Sequence, residues 1–96
     1  MEILVSYDVS TETAAGRRRL RKVAQICLGY GQRVQKSVFE CSLGDAQYEA
    51  LEDRLVRTID TEEDSLRLYR LREPRERFVR SFGIDRRQDF AGPLVV

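Results

Sequence analysis

Gln32-Arg33-Val34-Gln35-Lys36-Ser37-Val38-Phe39-Glu40-Cys41-Ser42-Leu43 is a run of alternating polar and apolar residues with no helical stripe. Val38 and Glu40 face one way and Phe39, Cys41 and Leu43 the other, the period-2 pattern of a half-buried strand. Gln32–Gln35 and Ser37–Leu43 therefore read as two short strands or one bent strand pair. On the N-terminal side, Gly29 and Gly31 stop a helix that runs from about Glu12 to Leu28, with Ser10 or Thr11 as its cap. Leu20, Val23, Ala24, Cys27 and Leu28 fall at i, i+3, i+4, i+7 and i+8, one apolar stripe facing a core. Ahead of that helix, Met1–Val9 is short and rich in Ile, Leu, Val and Tyr, and reads as a buried strand.

On the C-terminal side, Ser42 with Asp45, or Asp45 alone, caps a second helix from about Ala46 to Ile59, with Tyr48, Leu51, Leu55 and Ile59 as its stripe. Asp64–Leu71 reads as a strand, Leu66 and Leu68 inward, Arg67 and Tyr69 outward. Pro74 marks a break, Arg75–Phe82 reads as one short helix before Gly83, and Gly92-Pro93-Leu94-Val95-Val96 as an apolar, extended tail.

The order β-α-β-β-α-β predicts an α+β, ferredoxin-like fold: an antiparallel sheet with both helices on one face, here with an additional C-terminal strand. At 96 residues the chain is one domain, 1–96, with 83–96 as its tail. The other sheet face stays open, and an open edge beside an apolar tail invites pairing with a second chain. The expectation is a two-fold homodimer in which Leu94–Val96 adds to the partner's sheet; a frayed terminus is the alternative.

Composition removes several chemistries. The chain has no histidine, and its two cysteines, Cys27 and Cys41, are not in CxxC spacing. That excludes histidine acid–base catalysis, Ser-His-Asp and Cys-His nucleophiles and most zinc sites. Catalysis would have to use carboxylates, hydroxyls, tyrosine, lysine, arginine or a metal held by oxygen. No apolar run approaches the roughly 20 residues of a membrane span. The opening residues lack the basic start and apolar core of an export signal, so the expected compartment is the cytoplasm, with no membrane partner.

The net charge of +1 hides a segregation. Between Gly16 and Lys36 lie seven basic residues (Arg17, Arg18, Arg19, Arg21, Lys22, Arg33, Lys36) and no acid; between Glu40 and Asp64 nine acids face only Arg54 and Arg57. Fifteen of the 17 basic residues are arginine, whose planar fork binds phosphate in bidentate fashion. Solvated helix faces would account for the same counts, but four arginines in the first half of a helix oppose its macrodipole, each by about 0.3–1 kcal/mol, which favours a use for them.

Asp8 ends the first strand, a position where carboxylates hold Mg²⁺ but where a lone one more often serves as a turn or cap residue. A two-fold axis near it would set two carboxylates face to face. Tyr7 points the other way by alternation, as a core residue or a group that stacks on substrate. Ser37 could donate to phosphate; Phe39 is most simply core.

Taken together, Tyr7-Asp8 closing the first strand, an arginine-rich helix ending in Gly-Tyr-Gly, Arg33-Val34-Gln35-Lys36-Ser37-Val38-Phe39-Glu40-Cys41, Leu66-Arg67-Leu68-Tyr69 and a Leu-Val-Val end resemble the second core CRISPR-associated protein family over nearly the whole chain. The resemblance implies a ferredoxin-like homodimer that works with the CRISPR integrase in spacer acquisition and binds nucleic acid along its backbone. It also implies a metal-dependent endonuclease on single-stranded RNA or duplex DNA, with Mg²⁺, or Mn²⁺ in its place. On that footing Asp8 and Tyr7 are the catalytic candidates and Asp8 the metal ligand. Arg17, Arg18, Arg19, Arg21, Arg33, Ser37 and Phe39 are then the nucleic-acid contacts. The family's Asp-rich continuation is here Val9-Ser10-Thr11-Glu12, which places a second carboxylate poorly.

Three functions follow: a nuclease with paired Asp8 residues, a non-catalytic dimeric adaptor that scaffolds the integrase on DNA, and a small module binding a metabolite between chains. The last wants a Gly-rich or polar pocket, for which the sequence offers little.

Overall fold

A computed structural model describes residues 1–84 and gives the element order β1 (Glu2–Asp8), α1 (Ala14–Leu28), β2 (Gln32–Gln35), β3 (Val38–Ser42), α2 (Asp45–Thr58), β4 (Ser65–Leu71) and α3 (Arg75–Phe78). The four strands form one sheet in the order β2-β3-β1-β4, antiparallel at every junction. This is the ferredoxin-like α+β fold that the alternating and helical patterns predict. The expected C-terminal strand, and the expected pairing of Leu94–Val96 with a partner, lie outside the described residues.

Strand alternation divides the sheet. Ile3, Val5, Tyr7 and Val9 point to one side with Phe39, Cys41 and Leu43, and both helices close over them with Val23, Ile26, Cys27, Leu51 and Leu55. Register puts like with like: Val5 sits between Phe39 of β3 and Leu68 of β4, and Ile3 beside Cys41. Glu2, Leu4, Ser6 and Asp8 line the opposite face with Val38, Glu40, Arg67 and Tyr69. Part of that face is crossed by the chain after β4, where Arg75 of α3 pairs with Glu40 and lies 4.0 Å from Glu2. Among the described residues no helix is long and apolar enough to cross a membrane.

Local details differ from the sequence reading for identifiable reasons. The cap of α1 is Thr13, whose hydroxyl accepts from the Gly16 N–H at 3.0 Å, because Ser10 is held by β4-side contacts and Thr11 lies before the turn that starts the helix. On α1, Ile26 is buried and Leu28 is not, because the core stripe ends as the chain turns at Gly29. The cap of α2 is Gly44, whose N–H donates to the Gln47 side chain at 2.9 Å. Ser37 belongs to the β2–β3 turn, and α3 stops at Phe78 instead of Phe82, a single turn with no buried residue to extend it.

Candidate active site and nucleic-acid surface

Asp8 closes β1 on the open face, its Cα opposite Ser65 of β4. It is exposed, and among the described residues no hydrogen bond or ion pair engages its carboxylate. The chain on either side is fixed. Tyr7 N–H donates to the Ser37 carbonyl at 3.1 Å, Val9 is buried, and Ser10 N–H donates to Asp64 Oδ1 at 3.0 Å. A carboxylate free to take a ligand thus stands on a backbone that cannot move far.

Asp64 is the residue that sequence reasoning missed. Its side chain is 0% exposed. Besides the Ser10 amide it accepts from the Asp60 N–H at 2.9 Å, and from Arg19 through Nε at 2.8 Å and Nη2 at 3.3 Å. The Arg19 hydrogen bond holds the Asp64 carboxyl below the usual carboxylate range; burial pushes the other way, and the Asp60 and Ser10 amides reinforce Arg19. The acid-rich turn Asp60-Thr61-Glu62-Glu63-Asp64 is a visible Asx-turn signal, realised as Glu62 N–H donating to Asp60 Oδ1 at 3.0 Å. Nothing local points to Arg19, 45 residues away.

The expected nucleic-acid contacts fall into separate groups. Arg17, Arg18, Arg21 and Lys22 are all exposed on the face of α1 turned from the core, a continuous basic ridge. Arg17 also donates to the Thr11 carbonyl at 3.1 Å. Arg19 is not on that ridge; it is turned to Asp64. Arg33 lies on the helix side of β2, its guanidinium 5.0 Å above the ring of Phe39.

Phe39 is 0% exposed, so the expected surface contact is a core residue, as its inward register on β3 requires. Tyr7 is likewise core, 5% exposed and stacked on Phe39 with ring centroids 6.2 Å apart. Its ring therefore lies on the opposite side of the sheet from the Asp8 carboxylate, as strand alternation requires. Neither Tyr7 Oη nor Arg33 Nε closes a well-aligned hydrogen bond. Burial pushes the Tyr7 hydroxyl up, and nearby Arg33 pulls it partly back. Ser37 is half-buried in its turn, its carbonyl taken by Tyr7.

Cys27 and Cys41 are buried free thiols, pushed up by burial to about 12 and about 11. Among the described residues no three His, Cys, Asp or Glu side chains converge to hold a metal. Asp64, the acid next to Asp8 in strand register, is occupied by Arg19 and two amides. Among the described residues of one chain, a divalent ion at Asp8 would therefore find no more than one further side chain of these types beside it. Mg²⁺ accepts that poverty, since it keeps several waters and is commonly held by one or two carboxylates plus substrate phosphate.

The fold and site define a small ferredoxin-like protein with an uncommitted carboxylate at the end of a central strand and an arginine ridge on the helix that follows. A family model described as CRISPR associated protein Cas2 matches residues 1–78, and the chain belongs to that family. It is 58% identical over 96 residues, covering all of both chains, to a protein of Moorella thermoacetica named CRISPR-associated endoribonuclease Cas2 1. It is 45% identical, over 99% of each chain, to one of Halalkalibacterium halodurans named CRISPR-associated endonuclease Cas2. Among solved structures, Streptococcus pyogenes Cas2 superposes with a TM-score of 0.78 at 52% identity, covering 86% of this chain and 100% of that one. A Thermus thermophilus protein, TT1823, follows at 0.73 and 33% identity, covering 88% and 92%.

Proposed function

We propose that this chain is a metal-dependent nuclease of its family, cleaving phosphodiester bonds in single-stranded RNA or duplex DNA as a two-fold homodimer. It serves CRISPR spacer acquisition in the cytoplasm, alongside the CRISPR integrase. The observation that carries the reading is Asp8: exposed, unengaged among the described residues and fixed at a strand end, in a chain whose relatives are named endonucleases and endoribonucleases.

Asp8, joined across the two-fold axis by Asp8 of the partner subunit, is the group that would hold Mg²⁺ or Mn²⁺. The metal, when bound, supplies positive charge to the oxygens of the reacting phosphate. Arg17, Arg18 and Arg21 bind the nucleic-acid backbone by charge-assisted hydrogen bonds to phosphate, which fixes its position without reading its sequence. Tyr7, Val9 and Ser10 hold the Asp8 backbone in place, so its carboxylate needs little reorganisation on meeting substrate.

The test is a cleavage assay of rigorously purified protein, wild type and Asp8→Asn, across divalent cations. Cleavage should fall by about 100-fold or more, the scale for losing a group at the reacting centre, while duplex binding persists. Unchanged cleavage in the variant overturns the assignment. Tight DNA binding by a wild type that never cleaves would favour the adaptor, which shares the basic ridge and differs only in what Asp8 does.

A further inference from the structure

We propose that Arg19 and Asp64 form a positioning pair for Asp8, and that Arg19, alone among the arginines of α1, is not a phosphate contact. The part concerning cleavage rests on the reading of Asp8 given above; the part concerning Arg19 does not.

The geometry points this way from both ends of the pair. Beyond Asp8 the chain must leave the sheet and enter α1, and Ser10 is where it is tied down. The Ser10 amide is held by Asp64 Oδ1. Its carbonyl lies so close to α1 that a Cβ at Gly16 would come within 2.0 Å of it. Asp64 in turn immediately precedes Ser65, whose Cα pairs with that of Asp8. Its carboxylate therefore bridges the residue two places after Asp8 to the strand that flanks Asp8. Arg19 completes the bridge with Nε and Nη2, and Asp60 N–H fixes the second oxygen.

Charge leads to the same conclusion. Arg17, Arg18 and Arg21 are exposed, whereas the Arg19 side chain is 21% exposed and its charge is offset by Asp64 at 2.8 Å. To bind a phosphate, Arg19 would have to leave a carboxylate that is otherwise buried, and an unpaired buried charge is costly. Without Arg19 or without the carboxylate, the Ser10 amide loses a fixed acceptor and the strand end that carries Asp8 loosens.

The experiment compares wild type with Arg19→Gln, Asp64→Asn, the double variant and Arg17→Gln. It reads three quantities: Ser10 amide hydrogen exchange in the free protein, the salt dependence of duplex DNA affinity, and the single-turnover cleavage rate. Arg19→Gln and Asp64→Asn should each speed Ser10 exchange by about tenfold or more, and the double variant no further, because residues of one network do not add. Arg19→Gln should leave the slope of log affinity against log salt at the wild-type value, while Arg17→Gln lowers it by about 0.9, one phosphate's worth. Cleavage should fall by about tenfold in either single variant and fall no further in the double. Unchanged Ser10 exchange in Arg19→Gln, or a salt slope reduced as in Arg17→Gln, overturns the proposal. Arg19 lies outside the apolar core, and in Arg19→Gln the Asp64 carboxylate keeps its two amide donors, so that variant decides even if Asp64→Asn fails to fold. A wild type without cleavage overturns the nuclease reading, and the exchange and salt measurements still decide the pair.

Discussion

Tyr7 and Asp8 are neighbours in the chain and lie on opposite faces of the sheet, the ring of Tyr7 stacked on Phe39 in the core and Asp8 open to solvent. The tyrosine hydroxyl closes no well-aligned hydrogen bond, and its interaction with nearby Arg33 is poorly directed, so its removal forfeits little. Tyr7→Phe should therefore change stability by less than about 1 kcal/mol and cleavage by less than about threefold. Tyr7→Ala should cost about 3–5 kcal/mol by opening a cavity beneath Phe39. Chemical denaturation and the cleavage assay check both. A loss in Tyr7→Phe as deep as that in Asp8→Asn would mean that the hydroxyl reaches the reacting centre after all.

The exposed ridge on α1 predicts how binding responds to charge. Reversing Arg17, Arg18 and Arg21 together to Glu should weaken duplex binding to a similar extent on unrelated sequences, because phosphate contacts carry no sequence information. It should also flatten the salt dependence by about 0.9 for each phosphate that is no longer neutralised. Fluorescence anisotropy titrations at several salt concentrations measure this. Affinity that is indifferent to salt in the wild type would place the binding surface elsewhere.

The fold was legible because each element declares its buried face locally. The alternation at Val38–Ser42 and the stripe through Leu51 and Leu55 follow from single-element periodicity, and the strand order follows from their succession. Asp8 was legible as a strand-end acid. The Asp64–Arg19 pair was not, because an ion pair spanning 45 residues leaves no periodic mark, and an arginine in a run of arginines looks like its neighbours. Phe39 and Tyr7 were half legible: alternation placed both inward, as the structure has them, and only the family resemblance cast them as site residues.

Gly16 tests the packing of α1 against the chain that follows Asp8. In an open helix Gly→Ala is stabilising by about 1 kcal/mol. Here the new methyl would meet the Ser10 carbonyl at 2.0 Å, a backbone atom that cannot swing aside. Gly16→Ala should instead destabilise, by about 1–3 kcal/mol as for other overpacked sites. A rise in thermal midpoint would show that Ser10 and α1 do not approach each other closely.

The two thiols should be silent in the folded protein. With Cys27 at about 12 and Cys41 at about 11, the thiolate at pH 8 is roughly one part in 10⁴ and one in 10³, and both groups are buried. Ellman's reagent should label neither at pH 8 until denaturant is added, and then both. Prompt labelling of native protein would contradict their burial.

Asp64 gives stability a defined dependence on pH. Its carboxyl titrates lower in the folded protein than in the unfolded chain, where an aspartate sits near about 3.9. The native state therefore binds the proton less well, and the stability contributed by the ionised group is complete above the unfolded value. It is lost as pH falls through the lower, folded one. The difference in unfolding free energy between wild type and Asp64→Asn should stay constant from about pH 8 to pH 5 and then narrow below about pH 4. Because the side chain is shut from solvent, added salt should screen the difference weakly at neutral pH. Urea denaturation of both proteins across that range supplies the measurement. A gap that persists undiminished at pH 2 would assign the stabilisation to hydrogen bonds that asparagine breaks, and not to the charge that Arg19 faces.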